Sequence, residues 1–129
     1  MLKLKKYPKE KGQIDISITR ADSAYLNFDI TDINGNFVAV DGTDAIVKVQ
    51  VRKQAADDGD LVFNGTIIYN DDKTATWHIV PSDTDGLPYA TYYYDAEVEY
   101  SNGDTFTFIP FSKFTITSES TKRVVTTNG

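Results

Sequence analysis

The stretch Val47-Lys48-Val49-Gln50-Val51-Arg52 decides the fold class of this chain. Its three valines alternate with three polar side chains. Successive side chains of a β-strand point to opposite faces of a sheet, so one face of this segment is apolar and the other is polar. The pattern predicts a strand that is buried on one side only.

The same two-residue period recurs on both sides of this stretch, and no window shows the period of an amphipathic helix. This recurrence predicts an all-β protein. The alternating apolar positions are Ile14, Ile16 and Ile18; Leu26, Phe28 and Ile30; Ala75, Trp77 and Ile79; Tyr92, Tyr94, Ala96, Val98 and Tyr100; Phe106 and Phe108; and Phe114 and Ile116.

Turn signals separate these runs at intervals of roughly ten residues, as in β-sandwiches. Asn34-Gly35 and Asn102-Gly103 stand between alternating runs, and this dipeptide accepts the positive φ angles of tight hairpins. A third turn is expected at 70–73, and longer connections at 54–60 and 81–88. We therefore predict an antiparallel β-sandwich of seven to nine strands.

Two positions interrupt the predicted strands. Gly65 falls inside an apolar run at 61–69, which favours a β-bulge. Pro110 divides the aromatic run at 105–117, which indicates an edge position or a switch between strands. Neither position marks a domain boundary, so we expect one domain over 13–117.

The charge of the chain is unevenly distributed. Residues 1–20 carry six basic and two acidic side chains, whereas 21–121 carry 17 acidic and five basic ones. We therefore predict a basic N-terminal arm at 1–12 and a polar C-terminal tail at 118–129. A basic arm can dock on the acidic body of a neighbour or remain solvated. The acidic body argues against a nucleic-acid partner.

Composition also limits the cellular setting. The chain has no cysteine, so it contains neither disulfides nor thiolate metal sites. Its apolar runs are too short to span a membrane. The basic start is not followed by an apolar segment, which argues against a secretory signal.

The sequence indicates no enzyme and no cofactor. His78 is the single histidine, and alternation places it on the face opposite Trp77, where a surface role is expected. Asp32, Asn34 and Asn36 resemble the opening of a calcium loop, but the twelfth position is Thr43 where a bidentate acid is required. A hairpin turn explains the same three residues without a metal.

The aromatic residues are expected mainly in the core. Alternation sends Tyr92 and Tyr94 to one face and Tyr93 to the other. Tyr92 is a candidate for a tyrosine corner, whose hydroxyl ties the start of a strand to an upstream loop. Tyr93, with Tyr89 nearby, is the candidate for contact with a protein or a carbohydrate.

The order of these segments resembles the N-terminal domain of phage baseplate upper proteins. The first half of the likeness runs through 16–22, 26–36 and 47–51. The second half runs through 82–88, 91–100, Asn102-Gly103 and 114–116, so that the resemblance covers about residues 13–117. It implies an immunoglobulin-like sandwich in a bacteriophage virion and carries over no catalytic residue.

The resemblance implies a non-enzymatic virion protein, assembled in the host cytoplasm, which attaches one tail or baseplate component to another. Its partners would be other virion proteins and copies of itself. Members of that family usually continue into a coiled stem, so a capsid-decorating, collar or fibre-base subunit is an alternative. The predicted contact residues are Lys3, Lys5, Lys6, Tyr7, Tyr89, Tyr93, Lys122 and Arg123.

A carbohydrate-binding or adhesin-like sandwich is the alternative of another class. In that case the loops at 57–60 and 83–88, which carry several aspartates, would hold a host-surface glycan, with or without calcium. A strip of exposed aromatic side chains beside those loops would favour it.

Overall fold

The computed structural model describes residues 7–118, and their regular secondary structure is nearly all strand. Eight strands and one short helix follow each other along this part of the chain. This confirms the all-β class, and eight strands lie within the predicted range. The elements are β1 (Ile16–Thr19), β2 (Ala24–Asn27), β3 (Ala45–Arg52), β4 (Leu61–Asn64), β5 (Thr66–Tyr69), β6 (Ala75–Ile79), α1 (Pro81–Thr84), β7 (Ala90–Tyr100) and β8 (Thr105–Thr117).

The strands form two sheets that enclose one core. The larger sheet has the order β1-β8-β7-β3-β4, and the smaller has the order β2-β6-β5. Side chains from both sheets meet between them in a single apolar cluster. Its largest fully buried members are Trp77, Tyr94, Phe108, Phe114, Ile79 and Ile116.

The central ladder is the one that the valine alternation predicts. β3 pairs with β7 in antiparallel register, and Val47, Val49 and Val51 stand opposite Val98, Ala96 and Tyr94. All three valines are buried, whereas Lys48 between them is exposed. The two-residue period therefore fixed both the strand and its buried face.

One ladder differs from the predicted antiparallel arrangement. β1 runs parallel to β8, with Ile16 beside Phe114 and Ile18 beside Ile116. The reason lies in the preceding segment, which already follows the edge of β8 in the same direction. The Lys11 amide donates to the Phe108 carbonyl, and the Ile14 amide donates to Ser112 Oγ.

The interruption at Gly65 is a change of sheet, and the predicted bulge at this position is wrong. β4 before Gly65 belongs to the larger sheet, and β5 after it belongs to the smaller one. A Cβ at Gly65 would lie 2.8 Å from Trp77 Nε1 and 2.9 Å from Val49 Cβ. Glycine, which has no Cβ, lets the backbone pass this close to Trp77 and Val49 as it moves from one sheet to the other.

Pro110 neither ends nor divides its strand, because β8 continues from 105 to 117. The pairing with β7 shifts here, since Tyr94 stands opposite Ser112 and Ala96 opposite Ile109. An extra residue of β8 therefore forms a bulge at 110–111, where a missing amide proton is tolerated. The predicted strand switch at Pro110 is wrong, and the proline lies in an irregularity of a continuous strand.

The predicted turns are present. Asn102-Gly103 closes the β7–β8 hairpin, with the Tyr100 amide donating to the Asp104 carbonyl. The turn at 70–73 joins β5 to β6. Asn34-Gly35 also forms a tight turn, although it joins only a single bridge between Thr31 and Phe37.

The second half of the predicted arm packs against the sandwich. Pro8 is buried, the Lys9 amide donates to the Thr31 carbonyl, and the Lys11 amide donates to Phe108. Residues 7–11 thus close the side between the two sheets. Gly12, with a φ of 90°, then turns the chain toward β1.

Candidate functional site

The predicted contact residues within 7–118 lie at two opposite ends of the domain. Tyr7 packs on Tyr100, the last residue of β7, and Tyr89 immediately precedes the first residue of that strand. A strand of this length spans roughly 35 Å. We name these ends the Tyr7 pole and the Tyr89 pole. Lys3, Lys5, Lys6, Lys122 and Arg123 lie outside the described residues.

Tyr7, Phe106 and Tyr100 form a ridge of aromatic rings at the Tyr7 pole. The ring of Tyr7 stacks on Phe106 with 4.6 Å between centroids and meets the edge of Tyr100 at 5.8 Å. Its side chain remains partly open to solvent. The β7–β8 hairpin supplies both partners, so Tyr7 is held on a rigid element.

A groove lies on each side of this ridge. The first groove, of about 280 Å³, is lined by Tyr7, Pro8, Lys9, Ile33 and Phe106. The second groove, of about 490 Å³, is lined by Tyr7, Asp32, Asn36, Phe37, Val38, Ala39 and Tyr100. Tyr7 forms a wall of both grooves, so the two grooves are adjacent parts of one surface.

Two apolar residues at this pole are unusually exposed for their size. Ile33 is 58% exposed and Phe37 is 55% exposed. The sequence pattern at 32–36 indicated a turn or the opening of a calcium loop, and it did not single out Ile33 or Phe37. The available signal was the placement of two large apolar side chains around Asn34-Gly35, a turn that offers no core to bury them.

Two residues that line the second groove, Asp32 and Tyr100, carry buried polar groups. Asp32 is 3% exposed, and its Oδ1 accepts hydrogen bonds from the amides of Asn34 at 2.8 Å and Asn36 at 3.0 Å. The buried hydroxyl of Tyr100 has no partner among the described residues. Desolvation raises the pKa of Tyr100, and Tyr7 adds to the rise. A buried hydroxyl without a partner is uncommon in folded proteins.

The Tyr89 pole is differently built. Tyr89 is half exposed, and the Arg20 guanidinium lies 4.3 Å from the centre of its ring. The same arginine donates to the Leu87 carbonyl at 3.2 Å. Tyr93 is half-buried in the sheet between Arg52 and Lys113. The structure therefore leaves Tyr89 more accessible than Tyr93.

Tyr92 forms the predicted tie. It is buried, and its hydroxyl donates to the Pro88 carbonyl four residues earlier, at 3.1 Å. This bond fixes the end of the 81–88 connection to the start of β7. The hypothesis of a tyrosine corner is confirmed in its local geometry.

Some of the polar residues considered for chemistry have structural partners. His78 points outward and stacks on Tyr25 with 4.2 Å between ring centres. In the loops considered for a glycan, Asp83 accepts a hydrogen bond from the Val80 amide and Gln54 accepts one from the Asp60 amide. Over residues 7–118, no three His, Cys, Asp or Glu side chains are grouped so as to hold a metal.

Comparisons with known proteins leave the family open. No protein-family model matches the chain, and no curated protein matches it. In the described part of the chain, no helix has both the length and the apolar character needed to cross a membrane. The geometry on its own defines an all-β, two-sheet domain with an exposed apolar surface at the Tyr7 pole.

Proposed function

We propose that this chain is a non-enzymatic structural protein of a bacteriophage virion, which acts as an adaptor or attachment module in the tail or baseplate. Its mechanism would be adhesion to other virion proteins and to copies of itself. The sequence resemblance suggests the setting, and the surface at the Tyr7 pole supplies the physical reason.

An immunoglobulin-like topology is part of this proposal. The smaller sheet β2-β6-β5 corresponds in order to strands B, E and D of that fold, and β8-β7-β3 corresponds to G, F and C. Tyr92 near the start of β7 matches the tyrosine corner on strand F. The position of the buried tryptophan differs from that in antibody domains. Trp77 lies on β6, which corresponds to strand E, whereas the antibody tryptophan lies on strand C.

The single observation that carries the proposal is the apolar surface around Tyr7. Contiguous exposed apolar surface commonly marks a site of protein interaction. Here Ile33, Phe37 and Tyr7 are exposed together around two grooves, at the pole where the described chain begins. A catalytic cleft would instead bring together a nucleophile, a base and a group that orients the base.

Particle purification tests this proposal. Phage particles from the strain that encodes the chain would be banded on a density gradient, and the fractions probed with an antibody against residues 7–118. We expect the chain in the particle band at a fixed ratio to the tail proteins. Immunogold labelling would separate a tail or baseplate position from a capsid, collar or fibre-base position. Recovery of the chain only outside the particle band would refute the proposal.

A glycan-binding role is a second candidate, and one observation favours it. Tyr25 is 63% exposed on the outer face of the smaller sheet, beside a hydrogen-bonded set formed by Asn27, Thr76 and Asn70. An exposed ring beside polar side chains suits the apolar face of a sugar. Glycan-array binding that is lost in Tyr25→Ala and kept in Tyr89→Ala would support this role.

A further inference from the structure

We infer that the two grooves at the Tyr7 pole receive residues 1–6 of a second copy of this chain, so that two molecules exchange their N-terminal arms. This inference rests on the proposed function, in which the arm serves assembly, and names the partner at that surface. It is argued from the lining of the grooves and from the sequence that precedes Tyr7.

The grooves suit an apolar occupant. Their walls are mostly aromatic and aliphatic, and they include the exposed side chains of Ile33 and Phe37. Apolar side chains of an extended chain would cover these walls.

The first six residues have the composition that fits this surface. They read Met1-Leu2-Lys3-Leu4-Lys5-Lys6, in which Leu2 and Leu4 alternate with lysines. In an extended conformation the two leucines share one face and Lys3 and Lys5 share the other. The leucine face suits the groove walls, and the lysine face suits acidic side chains near them.

Acidic side chains lie near this pole, where Lys9 is a basic residue that lines the first groove. Asp104 lies in the β7–β8 hairpin, and the Asp44 carbonyl accepts a hydrogen bond from the Ser101 amide of that hairpin. Both aspartates are exposed, and the carboxylate of Asp32 lies in the wall of the second groove. Three lysines in six residues are therefore attracted to this end of a neighbouring molecule.

The occupant comes from a second molecule because the arm is poorly suited to fold back on its own groove. Tyr7 is itself the wall between the grooves, so the described chain begins at the groove edge. Residues 1–7 contain none of Gly, Pro, Asn, Asp or Ser, the residues that form tight turns. Pro8 also favours an extended backbone at Tyr7. Six extended residues reach roughly 20 Å, enough to cross to an adjacent copy.

Exchange of two arms is also compatible with the two-fold symmetry of a dimer. In a two-fold dimer each surface patch meets its counterpart, so each molecule gives one arm and receives one. The contact is then closed and does not propagate into a filament.

Disulfide trapping tests the arrangement, since the chain has no cysteine of its own. The double variant Leu4→Cys/Phe37→Cys places one thiol in the arm and one in the groove. On mild oxidation we expect a covalent dimer that returns to monomer with reductant. The matched control is Leu4→Cys/Leu61→Cys, because Leu61 is similarly exposed, at 48%, but lies on β4 outside the grooves.

Each outcome of the trapping experiment is decisive. Efficient dimers in the groove variant and few in the control support the exchange. A cross-linked monomer shows that the arm occupies its own groove and overturns the inference. Equal cross-linking in both variants, or none in either, also overturns it.

Sedimentation equilibrium supplies the independent measurement. We expect Leu4→Asp and Phe37→Asp each to weaken self-association at least tenfold, with Leu61→Asp unchanged. A mixture of the first two variants should recover part of the association, because one intact arm then meets one intact groove. Direct contact between two grooves predicts no effect of Leu4→Asp, and that result would refute arm exchange.

The particle experiment keeps the two proposals separate. A chain that enters virions but never self-associates overturns arm exchange and leaves the virion role standing. A chain that exchanges arms but is missing from particles overturns the virion role and leaves arm exchange standing.

Discussion

The hydroxyl of Tyr94 donates a 2.6 Å hydrogen bond to the carbonyl of Ile14, a residue 80 positions earlier in the chain. Tyr94 is buried in the middle of β7, and Ile14 lies in the segment that follows the edge of β8. The bond therefore fastens the N-terminal segment to the core of the larger sheet. It also lies between the two poles and holds the strand that connects them.

Tyr94→Phe should destabilise the domain. The substitution removes the hydroxyl and leaves the Ile14 carbonyl without this donor, which costs about 1–2 kcal/mol. Urea unfolding of both proteins at neutral pH measures the difference. An unchanged midpoint with an unchanged slope would show that the bond does not stabilise the fold.

Because of Tyr94, the stability of the folded domain should also depend on pH in the alkaline range. Desolvation, followed by the charge of Asp15, raises the pKa of Tyr94 to about 12, above its ordinary value of 10.0. A raised pKa in the folded state means that this stabilisation is complete below pH 10 and lost between pH 10 and 12. Stability should therefore fall more steeply over this range in the wild type than in Tyr94→Phe, as urea unfolding at several pH values would show.

Tyr92→Phe should cost about 1 kcal/mol, because the hydroxyl bond to the Pro88 carbonyl is lost while the ring remains buried. Tyr93→Phe is the matched control on the neighbouring residue and the opposite face. We expect it to change stability by no more than a few tenths of a kcal/mol. Equal losses in both variants would contradict a specific role for the Tyr92 hydroxyl.

Gly65→Ala should destabilise by about 1–3 kcal/mol, the usual cost of overpacking a core. The added methyl would approach Trp77 Nε1 to 2.8 Å, at the point where the chain passes between sheets. Combining it with Trp77→Phe should reduce the penalty, since the indole nitrogen is removed. A double-mutant cycle by thermal unfolding tests this coupling, and strict additivity would contradict the proposed clash.

Asp32→Ala should cost about 1–3 kcal/mol, because two backbone amides lose their acceptor. Asp32→Asn keeps one carbonyl oxygen and should retain most of the stability. Calcium should leave the unfolding temperature of all three proteins unchanged if the carboxylate serves only the turn. A calcium-dependent rise in the wild type alone would instead support the metal hypothesis.

Asp95→Asn should stabilise the protein at neutral pH. Desolvation raises the pKa of Asp95, Glu97 and Asp57 add to the rise, and Arg52 opposes it. A carboxyl whose pKa is raised by folding favours the folded state at low pH, and that contribution is lost as pH rises through its folded pKa. The advantage of the asparagine variant should therefore disappear on acidification, which urea unfolding from pH 3 to 7 would reveal.

Local pattern was sufficient for most of the strands and for one specific contact, although β2 ends at Asn27 and does not include Phe28 and Ile30. The alternation at 47–52 identified β3 and its buried face, because side-chain direction depends only on position along the strand. Tyr92 could be selected because its position at the start of a strand is itself local. Both predictions concern neighbours within a few residues.

The missed features depend on partners that are distant in the sequence. Gly65 forms a crossing because Trp77 and Val49 approach it, and no local signal distinguishes this from a bulge. The parallel pairing of Ile16 with Phe114 depends on where the preceding segment enters the sheet. The grooves at Tyr7 likewise require the 32–37 turn and the β7–β8 hairpin to meet at one end.

The placement of the two described ends has a practical consequence for labelling. Tyr7 lies at one end of β7, whereas Thr117 accepts a hydrogen bond from Arg20 beside Tyr89 at the other. The described part of the chain therefore ends, at residue 118, on the side of the domain remote from the Ile33 and Phe37 surface. A tag placed ahead of Met1 would extend the segment that we expect to enter the neighbouring molecule, and reporters for assembly assays belong at the carboxyl terminus.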